Sequence, residues 1–229
     1  MRIPSILTIS TIVLYSFPAF AQDSNGDGVP DTREDQCIPY QNPDFSVEFN
    51  SDTLPAYWST TSQAYLTSGL DDPENQGVLR LTGMQNGRMG GARSALPFDK
   101  GDGIVIDFAI NSWGVTGADG MAIFMYDAST DENNFFYGGA GSTFGYFNGT
   151  AGGLSGGVLA IGFDEYGDFG VTAGGSGSTP DSIVLVGDST DTNAGPLFVG
   201  NGYDIDAPLV NARPTFGETG HHEGTILLQ

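Results

Sequence analysis

Residues 149–168 read GTAGGLSGGVLAIGFDEYGD. A glycine-rich approach leads into a short apolar run, 158–163, of strand rather than helix length. That run ends at Asp164-Glu165-Tyr166-Gly167-Asp168. Two carboxylates four positions apart, on a chain leaving a strand, can fold back on one hard cation such as calcium, which takes oxygen ligands. A second apolar run opens with Ala118-Asp119-Gly120. Strand ends that carry a few polar groups are where a β-sandwich keeps its binding sites.

Working outward, the same pattern repeats. Residues 45–49 (FSVEF) alternate apolar and polar. Residues 77–82, 92–98, 104–110, 121–126, 182–186, 197–199 and 225–228 are further strand candidates, and 52–68 holds a loop and one more. Within 104–110, Ile104, Ile106 and Phe108 are expected on one sheet face, Val105 and Asp107 on the other. No window keeps a helical stripe. The chain has 35 glycines, and 11% of its residues are aromatic. Short apolar runs separated by glycine-rich turns read as an all-β sandwich. The run 225–228 is read either as the strand that closes the sheet of a domain at 41–229 or as the point where a longer chain is cut, which would leave that domain truncated at its C-terminus.

The first 21 residues have a cationic start at Arg2, an apolar run over 6–20, and a small-x-small step at Ala19-Phe20-Ala21. That is the grammar of a secretory signal peptide cleaved near Ala21, which implies a secreted or cell-surface protein. No later stretch has the length of a membrane span. The formal charge of −21 repels phosphate backbones and anionic lipid, which argues against nucleic-acid partners. The only cysteine, Cys37, has no intrachain partner, so a disulfide scaffold is excluded.

Residues 22–40 form an acidic segment of their own. Asp23, Asn25, Asp27, Asp31 and Glu34 stand at positions 1, 3, 5, 9 and 12 of a calcium-loop pattern, with Gly28 at the turn position. The segment resembles a single thrombospondin type 3-like repeat. The competing reading is an acidic N-terminus that only mimics this spacing. His221-His222 are adjacent rather than spaced for one metal, and read as a turn before the last strand. The aromatics between Phe135 and Phe147 are expected mostly to cover core, with one or two facing solvent.

Taken in order, Ala118-Asp119-Gly120-Met121-Ala122-Ile123-Phe124, the glycine-rich stretch 138–157, Leu159 to Tyr166, Pro180 to Leu185, and Arg213-Pro214 resemble the L-type lectin-like domains of bacterial surface proteins. These belong to the concanavalin A-like lectin/glucanase superfamily, and the likeness spans roughly residues 44–229. It implies a concanavalin A-like jelly-roll β-sandwich that binds carbohydrate or glycoconjugate without catalysis. By that likeness Asp119 accepts hydrogen bonds from sugar hydroxyls and Gly139 donates its N–H. Asp164, the Tyr166 carbonyl and Asp168 take the calcium positions, with Asp168 also beside the sugar.

Two departures stand out. Plant members place a glutamate where this chain has Gly162, and an asparagine where it has Asp168; an aspartate holds calcium but cannot donate a hydrogen bond. The paired acids that a retaining glycan hydrolase needs are not supplied in that family's pattern, so the chain is expected not to be an enzyme. The leading expectation is a calcium-dependent adhesive lectin-like domain, with Ca2+ as cofactor, either on its own or as one module of a longer adhesin. The alternative is a structural or protein-interaction sandwich without sugar binding. A glycan hydrolase comes third.

Overall fold

The computed structural model describes residues 6–16, 45–83, 85, 87–98, 104–113, 119–148, 152–201 and 221–228. Twelve strands appear among them. In chain order they are β1 (Ile6–Ser16), β2 (Phe45–Glu48), β3 (Trp58–Ser62), β4 (Tyr65–Leu66), β5 (Leu79–Thr82) and β6 (Gly90–Ser94). Then come β7 (Ile104–Trp113), β8 (Gly120–Tyr126), β9 (Gly157–Asp164), β10 (Ser182–Val186), β11 (Phe198–Asn201) and β12 (His221–Leu228). The one α-helical turn among the described residues, Phe169–Thr172, follows β9.

The strands form three antiparallel sheets. Six strands make the largest, in the order β12-β7-β1-β5-β4, with β2 also paired to β1. The second runs β11-β10-β9-β8, and β3 with β6 makes a two-stranded flank. The first two pack face to face as a β-sandwich. Their shared core holds Val47, Leu66, Leu79, Leu81, Phe108 and Ile110 from one side, and Met121, Ile161 and Phe163 from the other. The Phe108 and Phe163 rings meet at 5.5 Å between centroids. Burial of this apolar surface is the main force holding the two layers together.

The alternation expected for β7 is realised. Ile104 and Ile106 pack toward Ile123 and Met125 of β8, and Phe108 joins the same inter-sheet core. Val105 is also buried, while Asp107 on its side of the strand is half-buried. Three larger differences from the sequence reading stand out. The strand expected at 92–98 is Gly90–Ser94, because it pairs with β3 from Trp58↔Ser94 to Ser62↔Gly90. The last strand begins at His221, opposite Asn111 of β7, so His221-His222 belong to the ladder rather than to a turn before it. Residues 6–16, read as the apolar part of a leader, form the strand that joins β7 to β2 and β5.

A second core lies on the outer face of the β8–β11 sheet. The glycine-rich chain over 127–148 and 152–156 folds back there and buries Tyr146, Phe147 and Leu154 against Ala160, Phe169, Val184 and Val186. Of its aromatics from 135 to 147, only Phe136 is exposed. Arg93 of β6 pins this chain from the side, through an ion pair with Glu132 and by lying 4.1 Å above the centre of the Phe135 ring.

Candidate functional site

The two polar corners singled out in the sequence meet in space. Gly120 pairs with Asp164 at the end of the β8–β9 ladder. Asp119, one residue earlier, accepts a hydrogen bond on its carbonyl from the Tyr166 N–H at 3.3 Å. Gly120 is the residue this junction requires. Its φ is +137°, and a side chain there would meet the Phe163 carbonyl oxygen at 2.1 Å and the Phe144 ring at 2.7 Å.

Asp119 is half-buried and accepts no side-chain hydrogen bond or ion pair among the described residues. Burial pushes its carboxyl above the ordinary value, and the neighbouring Asp168 pushes in the same direction. The glycine-rich chain forms the opposite wall. A methyl group on Gly141 would lie 3.6 Å from Asp119 Oδ2, which puts the 3-10 turn Gly141–Thr143 against the carboxylate. The N–H groups of Gly141 and Ser142 lead that turn. They have no acceptor within it and make no other hydrogen bond among the described residues.

Gly139 is placed differently from the expectation. Its N–H donates to the Phe147 carbonyl at 2.7 Å, while its own carbonyl accepts from the Gly145 N–H at 2.8 Å and from the Thr143 hydroxyl. A donor already used in closing the loop is not presented to a ligand. The free amides are two and three residues further along.

Phe144 ends the turn in the left-handed region, at φ 51° and ψ 28°. For a bulky residue that conformation costs on the order of 1 kcal/mol. Its ring stacks on Phe169 at 4.5 Å with an interplanar angle of 5°. Phe169 in turn lies over Gly162, where a methyl carbon would sit 2.3 Å from Phe169 Cδ1. The absence of a glutamate at 162 therefore has a packing reason. The ring fills the space a side chain would need, and a metal ligand at that position is sterically excluded.

Asp164 is buried, and its carboxylate is turned onto the backbone. Oδ1 accepts from Gly167 at 2.8 Å, and Oδ2 accepts from Phe169 at 2.8 Å and from Gly170 at 3.4 Å. Burial pushes its carboxyl up, and these N–H groups oppose the shift. It shapes the corner and starts the helical turn. The Tyr166 carbonyl accepts from the Ser178 hydroxyl at 3.2 Å, and its side chain is exposed. The Asp168 carbonyl accepts from the Thr172 N–H at 2.9 Å and from the Thr172 hydroxyl at 3.0 Å. That leaves the Asp168 side chain as the corner's open carboxylate, well short of the six to eight oxygens of a calcium shell. No group of three or more His, Cys, Asp or Glu among the described residues is arranged to hold a metal.

Asp23, Asn25, Asp27, Asp31, Glu34 and Cys37 lie outside the described residues, as do Arg213 and Pro214. No helix among the described residues is long and apolar enough to cross a membrane. The reading of the sequence took 138–157 as the family's glycine-rich loop but did not single out the Gly141 and Ser142 amides within it. The only signal for them was the density of glycine and aromatic residues around 138–147. No family model matches the chain, and neither a curated protein nor a solved structure matches it.

Proposed function

We propose that the chain is a secreted or cell-surface carbohydrate-binding domain of jelly-roll architecture, with Asp119 as the principal hydroxyl acceptor. One observation carries the reading. A half-buried carboxylate without a hydrogen-bond donor sits against a turn whose first two amides are free. Acceptors and donors held side by side on a rigid scaffold suit the vicinal hydroxyls of a sugar, which donate and accept at once. Phe144, stacked on Phe169, and the exposed Tyr166 ring add apolar surface of the kind that sugar rings pack on. The donors are the Gly141 and Ser142 amides rather than Gly139.

Calcium enters this proposal through the N-terminal loop, at Asp23, Asn25, Asp27, Asp31 and Glu34. The 164–168 corner does not fit a closed calcium shell, since the Asp164 oxygens are engaged by backbone amides. A calcium titration of the chain with and without residues 22–40 tests this division. The heat is expected to vanish with the deletion, and heat that survives it would return calcium to the corner.

A glycan array on the wild type and Asp119→Ala tests the binding role. Signal lost in the variant, with an unchanged melting curve, is the expected outcome. A blank array for the wild type would overturn it in favour of a protein-interaction domain. That second reading draws on one observation: Phe198 and Val199 of the edge strand β11, and Leu197 just before it, are exposed, an apolar edge of the kind that pairs with other chains.

A further inference from the structure

Residues 6–16 carry two roles that exclude one another. By sequence they are the apolar part of an export leader. In the fold they are a central strand. β1 pairs with β7 from Ile6↔Trp113 to Ser16↔Ile104, with one shift between Ile9 and Thr11. Its other edge takes β2, from Thr11↔Glu48 to Leu14↔Phe45, and β5, from Leu7↔Thr82 to Ile9↔Leu79.

If the leader is removed, a gap one strand wide opens between β7 and the β2/β5 edge. Two inter-strand spacings make it about 10 Å across. Both edges would face it with unpaired N–H and C=O groups, which is costly in a buried setting. The gap does not close cheaply. Phe108 and Ile110 of β7 and Val47, Leu79 and Leu81 of the other edge are packed into the same core against Met121, Ile161 and Phe163. To meet, one edge would have to slide about 4.8 Å across the opposing sheet and leave that packing.

We propose that the exported chain carries a strand-acceptor slot between β7 and β2/β5, filled by an extended segment of a partner polypeptide that adds antiparallel to β7. This rests on the leader reading of residues 1–21, and is independent of sugar binding. The chemistry of the occupant follows from the segment now in the slot. ILTISTIVLYS is about one strand of uncharged, largely apolar residues without proline or glycine. Backbone bonds supply affinity in such strand addition, and side chains on alternate positions supply selectivity. A second copy is a poor donor, because the described strands β3 to β12 keep partners within their own chain once β1 is gone; β2, whose one partner is β1, is the strand of the chain itself that competes for the slot.

The test uses residues 22–229 and a synthetic peptide of residues 6–16 with a lysine tail for solubility. The mass of the exported protein first establishes whether the leader is gone. Saturable one-to-one binding is expected, with a melting temperature that rises with peptide concentration. The β7 amides that face the slot, alternate ones within 104–113, should exchange freely without peptide and become protected with it, while those facing β12 stay protected throughout. A peptide with Ile12→Pro should fail, because it removes a ladder donor. If residues 22–229 do not fold alone, refolding with the peptide replaces the melt, and recovery supports the slot. Three results overturn the proposal: protection of the slot-facing β7 amides in a monomer that ignores the peptide, a dimer that the peptide does not dissociate, or no recovery with peptide under conditions where residues 1–229 fold. An exported protein that keeps residues 6–16 would instead overturn the leader reading and make β1 a permanent strand.

Discussion

The Phe169 ring lies over Gly162 so closely that a single methyl carbon at 162 would stand 2.3 Å from Phe169 Cδ1. The ring belongs to the outer core, between Phe144 and Phe147. A side chain at 162 must push this stack away from β9. Gly162→Ala is therefore expected to destabilise by about 1–3 kcal/mol, the usual cost of overpacking. Thermal melts check it: Gly162→Ala should melt several degrees lower, and Gly162→Ala with Phe169→Leu should recover part of the loss. An unchanged melting temperature for the single variant would mean that the ring does not occupy this space.

Asp164 serves as a two-sided acceptor. Replacing it with alanine strands the Gly167 and Phe169 N–H groups in a buried corner, at about 1–3 kcal/mol for each. Asn should not restore the wild type. Its carbonyl can serve one side, but its amide would then point a donor at a donor. Denaturant unfolding of Asp164→Ala and Asp164→Asn is expected to show losses in both. Wild-type stability in the asparagine variant would refute the arrangement.

Asp119 bears on stability with the opposite sign to a paired carboxylate. Its folded carboxyl is held above the 3.8 of a free aspartate, by burial first and by Asp168 second. The folded state therefore binds this proton more tightly than the unfolded state. Stability attributable to Asp119 falls as pH rises from about 3.8 through the raised folded value. Asp119→Asn should melt higher than the wild type at pH 7 and lose that advantage near pH 3. Glycan binding that needs the ionised carboxylate should weaken on acidification before ordinary surface carboxylates titrate. A melting difference that is the same at both pH values would remove the basis for this coupling.

The Tyr137 hydroxyl is buried without a hydrogen-bond partner among the described residues. Burial pushes its phenol up to about 12. A buried hydroxyl with no partner costs roughly 1–3 kcal/mol by mutational measures. Tyr137→Phe keeps the ring contacts with Phe124 and Phe135 and removes the hydroxyl. It should leave the melting temperature unchanged or raise it, and a clear drop would show that the hydroxyl has a partner.

Most of the sheet was legible locally. The alternation in β2, β7 and β10 and the apolar runs of β8 and β9 stand in the sequence because strand geometry has a period of two and needs no distant information. The polar ends of β8 and β9 were legible one by one; that Asp119 meets the 164–168 corner was implied only by the family resemblance, and the β8–β9 ladder brings it about. The β3–β6 pairing and the true start of β12 were not, because pairing with a partner decided them.

By itself, then, the sequence determined an all-β chain, a strongly acidic surface and the two polar strand ends. These depend on composition and on neighbours a few residues apart. Tertiary structure decided what each polar group does. It turned Asp164 onto backbone amides, spent the Gly139 N–H on Phe147, and left Asp119 beside Gly141. It also set Phe169 over Gly162 and put residues 6–16 between β7 and β5. The physical reason is that a hydrogen bond or a ring contact is fixed by which distant segments the packed core brings together. No local propensity encodes that choice.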